Sequence, residues 1–137
     1  MKKVIFSAVF ALMTTVGFAQ ELTGKWLTED KDAVIEFFRS GDKMNGRIVS
    51  LVDGKDSNGR AVKDVLNPDK SKRNEPLVGL LMLRDLKQKG DKWEDGNIYD
   101  PSEGKSYKCS IWLENGKLKV RGYSGMFYQT QTWTRNK

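Results

Sequence analysis

Residues 106–123 read SYKCSIWLENGKLKVRGY, and this stretch decides the fold. Apolar and polar residues alternate on both sides of Asn115-Gly116, which is typical of strands that bury one face. Asn115 and Gly116 tolerate the positive φ angles of a two-residue turn, so the pair predicts a hairpin. The side chains predicted to face the core are Tyr107, Cys109, Ile111, Leu113, Leu118 and Val120, and those predicted to face solvent include Ser106, Lys108, Ser110 and Glu114.

Six more segments outside this hairpin have the composition of strands, with β-branched and aromatic residues bounded by turn formers. They are Thr23–Thr28, Ala33–Arg39, Lys43–Leu51, Leu77–Arg84, Trp93–Tyr99 with an interruption at Asp95-Gly96, and Tyr128–Arg135. The apolar run Leu77–Arg84 does not alternate, so a short buried helix is an alternative there. A turn is predicted at Lys87–Asp91. Eight sequential antiparallel strands predict an all-β, up-and-down barrel, the arrangement that removes free strand edges.

One connection, after the third predicted strand, is too long for a hairpin turn. Long connections in compact domains are usually functional or disordered. Its polar section includes Asp64, Asn67-Pro68-Asp69 and Arg73. In a structural interpretation, Arg73 pairs with Asp64 or Asp69 and holds the connection against the barrel.

The same connection also supports a binding interpretation. Arg73, with Lys70 and Lys72, offers a binding point for a carboxylate or phosphate group at the barrel mouth. The candidate ligand-binding residues are then Asp64, Asn67, Asp69 and Arg73. The two carboxylates available to neutralise Arg73 favour the structural interpretation.

The two termini predict how one end of the barrel closes. Gly24-Lys25-Trp26 in the first strand and Arg135 in the last are similar to the lipocalin pattern, in which a tryptophan plugs one end beneath a late arginine. A guanidinium can stack on an indole while it donates to nearby carbonyls. Trp26 as an ordinary core residue is the alternative.

The first residues predict export. Lys2 and Lys3 precede an apolar run that ends in small residues before Ala19, which is typical of a signal peptide over residues 1–19 with cleavage after Ala19. The run is shorter than the roughly 20 residues of a membrane-spanning helix, so no stable membrane anchor is expected. Residues 20–137 then form a single β-barrel domain, periplasmic or secreted.

Composition limits the chemistry. The chain contains no histidine, which excludes Ser-His-Asp and Cys-His catalysis as well as histidine-ligated metals. We therefore expect that the protein is not an enzyme and that it holds no metal or cofactor. A carboxylate-dependent hydrolase using Asp64 with Asp69, or Asp95 with Asp100, is the alternative. The formal net charge is +6, but acidic and basic residues are interspersed and no aromatic-basic motif is present, so nucleic acid is not an expected partner.

Short motifs along the predicted strands and turns resemble the bacterial domain-of-unknown-function family 2147. They are Gly24-Lys25-Trp26, Gly46-Arg47-Ile48-Val49, Asp64 with Asn67-Pro68-Asp69, Arg73, Pro76-Leu77-Val78-Gly79, Trp93, Gly96-Asn97-Ile98-Tyr99-Asp100-Pro101, Gly104-Lys105-Ser106-Tyr107, Leu118-Lys119-Val120-Arg121-Gly122-Tyr123 and Gln131-Thr132-Trp133-Thr134-Arg135. The resemblance implies a small exported protein of mainly Gram-negative bacteria, and it implies no particular activity or ligand.

Two functions remain open at this point. The first is a periplasmic protein that binds a small amphipathic or anionic molecule in its barrel, with Arg73 and its neighbours at the mouth. The second is a cell-envelope interaction module without a small ligand, whose exposed aromatic side chains Trp112, Tyr123 and Phe127 meet a protein partner.

Overall fold

The computed structural model describes residues 22–55 and 58–136, so the predicted signal peptide and its cleavage after Ala19 lie outside the described residues. Each strand pairs antiparallel with the next, and the first pairs with the last, which closes the barrel. This confirms the predicted up-and-down barrel. The strands are β1 Gly24–Leu27, β2 Ala33–Ser40, β3 Lys43–Leu51, β4 Leu81–Lys89, β5 Lys92–Asp100, β6 Lys105–Glu114, β7 Lys117–Ser124 and β8 Phe127–Arg135.

The largest difference from the predicted strands is at β4, which begins at Leu81 rather than Leu77 and continues through the predicted turn to Lys89. Leu77 and Leu80 still pack against the core, so this part of the apolar run reflects burial in a connection. No helix forms over the run. The only helix of three residues or more in the described part of the chain is the 3₁₀-helix η1, Lys70–Lys72, within the long connection.

Two glycines permit the close packing of neighbouring strands. At Gly46 in β3, a Cβ atom would lie 3.0 Å from Cε2 of Phe37. At Gly96 in β5, a Cβ atom would lie 2.5 Å from Cδ2 of Leu86, which is closer than real Cβ contacts. Asp95 beside it has a φ of 60°, and the pairing register shifts between Trp93 and Gly96. The predicted interruption of this strand is therefore a β-bulge.

The barrel has two different ends. The end that we call the closed end carries the start of β1, the end of β8 and the three short turns β2–β3, β4–β5 and β6–β7. The opposite end, the mouth, carries the turns β1–β2, β5–β6 and β7–β8 and the long connection, residues 52–80. No helix in the described part of the chain is long and apolar enough to cross a membrane.

Aromatic side chains fill the closed half of the barrel. Trp26, Trp93 and Trp133 are each at most 1% exposed, and the ring of Phe37 lies 6.1 Å from that of Trp133. Burying a large apolar side chain contributes roughly 1.5–3 kcal/mol to stability, so these residues account for much of the hydrophobic stabilisation. The core is therefore concentrated toward one end.

Arginine side chains lie over two of these tryptophans. The guanidinium carbon of Arg135 is 4.0 Å from the centre of the Trp26 ring, and Nη1 of Arg135 donates to the carbonyl of Thr23 at 2.8 Å. Gly24 has a φ of 110°, which favours glycine, and a Cβ atom there would lie 3.0 Å from that same nitrogen. Arg39 lies over the ring of Trp93 at 5.4 Å. Stacked cations thus shield the apolar core from solvent at the closed end.

Candidate functional site

Along β7 and β8, the exposure of inward-facing residues rises from the closed end to the mouth, whereas Ile35 of β2 and Ile48 of β3 are at most 2% exposed in the mouth half. Along β7, Leu118 and Val120 are 0% and 3% exposed, Gly122 is half-buried, and Ser124 is exposed. All four share one side of the strand because alternate residues point the same way. Solvent therefore reaches the inner face of β7 in the mouth half of the barrel.

The neighbouring strands repeat this gradient. On β8, Trp133 is buried, Gln131 is half-buried and Gln129 is exposed. Gln131 pairs with Val120 and Gln129 pairs with Gly122, so both glutamines share the inward side. Ile98 of β5 and Tyr107 of β6 pair with each other in the same half-buried position. We call the accessible space in front of these residues the cup, lined by Ile98, Tyr107, Gly122, Gln129 and Gln131.

Gly122 helps to keep the cup open. Its φ lies outside the left-handed region, so the backbone does not require glycine at this position. A Cβ atom would meet only Cγ2 of Ile98, at 4.0 Å, an ordinary contact distance. Gly96, in contrast, is required by packing. Gly122 therefore leaves unfilled a space that a larger side chain would occupy.

The polar groups of the cup are uncharged. Oε1 of Gln131 accepts a 2.9 Å hydrogen bond from the indole N–H of Trp133, so its amide nitrogen remains as a donor. The hydroxyl of Tyr107 donates to Oε1 of Glu103 at 3.1 Å, and this bond raises the pKa of Tyr107. The lining thus combines apolar surface with neutral hydrogen-bonding groups.

The residues predicted to bind a ligand lie elsewhere, in the long connection. Asp64 is only 2% exposed. Its Oδ1 accepts a hydrogen bond from the hydroxyl of Tyr99 at 2.7 Å, and its Oδ2 accepts one from Nδ2 of Asn67 at 2.8 Å. Tyr99 points outward because its neighbour Ile98 points inward. Desolvation, and then the bond to Asp64, raise the pKa of Tyr99 to about 12.

The remaining two predicted residues support the same connection. Asp69 accepts hydrogen bonds from the amide and hydroxyl of Ser71, at 3.0 and 2.7 Å, which cap η1 and lower the pKa of Asp69. Nε of Arg73 donates to the carbonyl of Asn67 at 2.7 Å. The expected ion pair of Arg73 with Asp64 or Asp69 is not present: within residues 22–55 and 58–136 the ion pairs are Arg47–Glu36 and Lys89–Asp95. The Asp64 carboxylate instead accepts from Tyr99 and Asn67.

The structure therefore brings Asp64, Asn67, Asp69 and Arg73 together, but as an internal network that we call the latch. The latch includes Tyr99 and fixes the connection to the outer side of β5. None of its four predicted residues is an inward-facing residue of a strand. The geometry matches the role of a support for the connection, with hydrogen-bond partners other than those predicted.

The described residues offer few catalytic groups. Cys109 is 1% exposed, and its burial raises its pKa to about 12, so it is a thiol at neutral pH. Asp95 and Asp100 are five residues apart on β5, roughly 16 Å, whereas paired carboxylates in glycoside hydrolysis are at most about 9.5 Å apart. No cluster of His, Cys, Asp or Glu in the described ranges is arranged to hold a metal ion.

The cup residues were not predicted from the sequence, in which the polar loop is the more conspicuous feature. A signal for the cup was available in β8. Gln129 and Gln131 alternate with outward-facing residues in the same way as the buried Trp133, so their polar side chains are expected to point into the barrel. Gly122 likewise shares the phase of Leu118 and Val120. Those positions in a barrel strand are ordinarily apolar.

Comparisons with known proteins agree with this architecture. The chain is similar to a solved structure, protein HP1028 from the human pathogen Helicobacter pylori, described as belonging to the lipocalin family. The two are 29% identical with a TM-score of 0.75, over 85% of this chain and 83% of the other. A lipocalin-like barrel is consistent with ligand binding in general and favours a binding protein over an enzyme. The comparison with curated proteins gives no match.

The family comparison covers the whole barrel. Residues 24–135, from the first residue of β1 to the last residue of β8, match a single family. The predicted resemblance is thereby confirmed, and the chain belongs to the family of uncharacterized proteins conserved in bacteria known as DUF2147.

Proposed function

We propose that this protein binds a small amphipathic molecule, with the apolar body of the ligand in the cup and its polar end toward the mouth. The observation that carries the proposal is the exposure gradient along β7 and β8, which leaves the inner faces of these two strands accessible toward the mouth. Ligand pockets are typically concave and mostly apolar with a few placed polar groups. The cup offers the apolar side chain of Ile98 and the ring of Tyr107 beside the neutral amides of Gln129 and Gln131.

The lining favours a neutral polar end on the ligand over an anionic one. Gln129, Gln131 and Tyr107 carry no formal charge and can hydrogen-bond to an amide, hydroxyl or carbonyl group. The cation predicted to meet an anionic group was Arg73, and its Nε is bound to the Asn67 carbonyl in the latch. An anionic ligand would thus lack a facing cation among the five cup residues.

Filling the cup tests this proposal. Gly122→Leu places a side chain where only Ile98 is near, so it should lower the affinity for neutral amphiphiles about ten-fold or more. Displacement of a hydrophobic fluorescent dye measures this affinity. Gly122→Ala is the matched control, because a methyl group fits at ordinary contact distance, and it should bind like the native protein. Unchanged binding by a folded Gly122→Leu variant would show that the cup is not the site.

The protein-interaction alternative depends on three aromatic side chains. Trp112 is half-buried, with Nζ of Lys92 and the guanidinium of Arg121 at 4.8 and 5.0 Å from its ring. Tyr123 is also half-buried, whereas Phe127 is 80% exposed. Only Phe127 of the three is well exposed, which makes a broad aromatic interface on the barrel wall the weaker candidate.

Export is part of the proposal. The apolar N-terminal run with small residues before Ala19 supports a signal peptide and a periplasmic location. Cell fractionation tests it: the processed chain belongs in the periplasmic fraction of a Gram-negative host. A chain that keeps residues 1–19 and stays in the cytoplasm would contradict it.

A further inference from the structure

Exposed apolar side chains are concentrated at the mouth. Among the described residues, the large hydrophobic side chains exposed to solvent all lie on mouth turns, on the long connection or at the start of β8. They are Val52, Val65, Leu66, Val78, Met126, Phe127 and Tyr128. Adjacent exposed apolar side chains, as at Met126, Phe127 and Tyr128, indicate an interaction site.

The β7–β8 turn is the most exposed part of this surface. Gly125 supplies the positive φ, 60°, that the two-residue turn requires. Met126 beside it is 95% exposed and Phe127 is 80% exposed. Turns favour Gly, Asn, Asp and Ser, so the hairpin has no conformational need for these apolar side chains at its tip. Their chemistry is therefore suited to a partner at the mouth.

Below the tip, the side chains change in order from apolar to aromatic to cationic. Tyr128, 61% exposed, packs beside Tyr123 with the ring centres 6.2 Å apart. The guanidinium of Arg121 lies 4.2 Å from the centre of the Tyr128 ring. Arg121 is the cationic residue of β7 in the mouth half, and Glu29 of the β1–β2 turn accepts a hydrogen bond from the Thr132 amide of β8 at 2.8 Å. This order matches the layers of a membrane surface, where acyl chains, an interfacial zone and anionic headgroups follow one another.

We propose that the mouth docks on the surface of an anionic lipid bilayer. Met126 and Phe127 insert at the level of the acyl chains, Tyr128 lies in the interface, and Arg121 faces the phosphates. The long connection adds exposed Val65 and Leu66 to the apolar surface of the mouth. Docking goes beyond the proposed ligand binding and does not require an occupied cup.

Vesicle sedimentation tests the docking proposal with a matched pair of variants. The native protein should sediment with vesicles of phosphatidylcholine and phosphatidylglycerol, and binding should fall at about 0.5 M salt because the charges are then screened. Met126→Asp places a carboxylate at the tip and should weaken vesicle binding about ten-fold or more. Met126→Leu keeps the apolar tip and should bind like the native protein. Both variants change a solvent-exposed turn residue, so folding is expected to persist.

Other outcomes overturn the proposal. Equal binding of Met126→Asp and the native protein would exclude insertion of the tip, and equal binding to vesicles of phosphatidylcholine alone would exclude recognition of anionic lipid. A concentration-dependent dimer that is lost in Met126→Asp, without vesicle binding, would make a second copy of the chain the occupant. Gly122→Leu should still dock, which separates failure of docking from failure of the cup.

Discussion

Asp64 shows at the scale of one residue how a buried carboxylate determines the course of a loop. Its two oxygens accept hydrogen bonds from Tyr99 on β5 and from Asn67 within the connection. The backbone amide of Asp64 donates to the carbonyl of Glu75 at 2.9 Å, which joins the two arms of the connection. One side chain therefore links the outer wall to the loop at a site where no ion pair forms.

Removing this carboxylate should destabilise the protein without affecting the cup. Asp64→Ala leaves the half-buried Tyr99 hydroxyl and Asn67 amide without their acceptor. Because water can reach half-buried groups, the loss should be near the lower end of the roughly 1–3 kcal/mol that an unsatisfied buried group costs. Urea unfolding measures this loss, and dye binding should stay near the native level. Asp69→Ala is the control, since it removes only an exposed cap and should destabilise less. A large loss of dye affinity in Asp64→Ala with normal stability would instead assign a ligand contact to the latch.

At Ser110, the alternation of apolar and polar residues predicts the direction of the side chain but not its burial. Ser110 falls on the predicted solvent side of β6, yet it is only 5% exposed, and its Oγ lies 3.3 Å from the hydroxyl of Tyr123. The direction of the side chain was predictable from the period of two. Its burial was not, because it depends on a tyrosine across the strand pair, and cross-strand neighbours are known only once the register is known.

At the scale of elements, the strands whose bounds were predicted well are adjacent to tight turns. Asn115-Gly116 gives the β6–β7 hairpin, and Lys43–Leu51 coincides with β3. The start of β4 was predicted less well, since Leu77 and Leu80 are apolar for packing against the core while their backbone belongs to the connection. Composition alone does not distinguish a buried loop residue from a buried strand residue.

The β1–β8 pair closes the barrel with the shortest ladder of the sheet. Its register joins Trp26 to Arg135 and Leu27 to Thr134. Side-chain contacts supplement this ladder, because Arg135 stacks on Trp26 and donates to the carbonyl of Thr23. The pair is therefore expected to depend on Arg135 more than the other strand pairs depend on single side chains.

Arg135→Lys tests this dependence while keeping the positive charge. Lysine lacks the planar group that stacks on the indole, so we expect a loss of about 0.5–1 kcal/mol in the free energy of unfolding. Hydrogen exchange should show faster opening of β1 and β8 than of β2 and β3. Exchange rates that rise equally in all strands would indicate that the arginine does not support this pair in particular.

At the scale of the whole molecule, stability should fall at alkaline pH through Tyr99. Its pKa is raised from 10.0 to about 12 in the folded protein, so the unfolded chain releases its proton first. The stabilisation from Tyr99 is complete below pH 10 and is lost as the pH rises from 10 to 12. Tyr99→Phe should flatten this part of the melting-temperature profile.

Tyr107 and Cys109 provide the comparison for this pH effect, because their pKa values are also raised. Tyr107→Phe and Cys109→Ala retain the bond between Tyr99 and Asp64, so their profiles should still decline above pH 10. If Tyr99→Phe declines as steeply as the native protein, other groups account for the alkaline loss. The measurement is a thermal melt at each pH.

The overall architecture was more predictable than the site. Barrel closure follows from eight alternating strands, since each apolar face needs the same core. The cup depends instead on which inward positions remain unfilled, and this property of Gly122 and the glutamines appears only once facing strands are known. The polar composition of the loop suggested a ligand site, although many of its polar groups bond to one another.

Uneven filling of the barrel has an evolutionary consequence. The tryptophan-rich half supplies most of the core, whereas the cup residues contribute few buried contacts. Substitutions in the cup should therefore cost little stability, and selection can alter them almost independently of the fold. Ile98, Gly122 and Gln131 lie within the motifs that resemble the family, whereas Gln129 lies outside them. Relatives are therefore expected to differ most at Gln129, which would let one inherited scaffold acquire different cargoes.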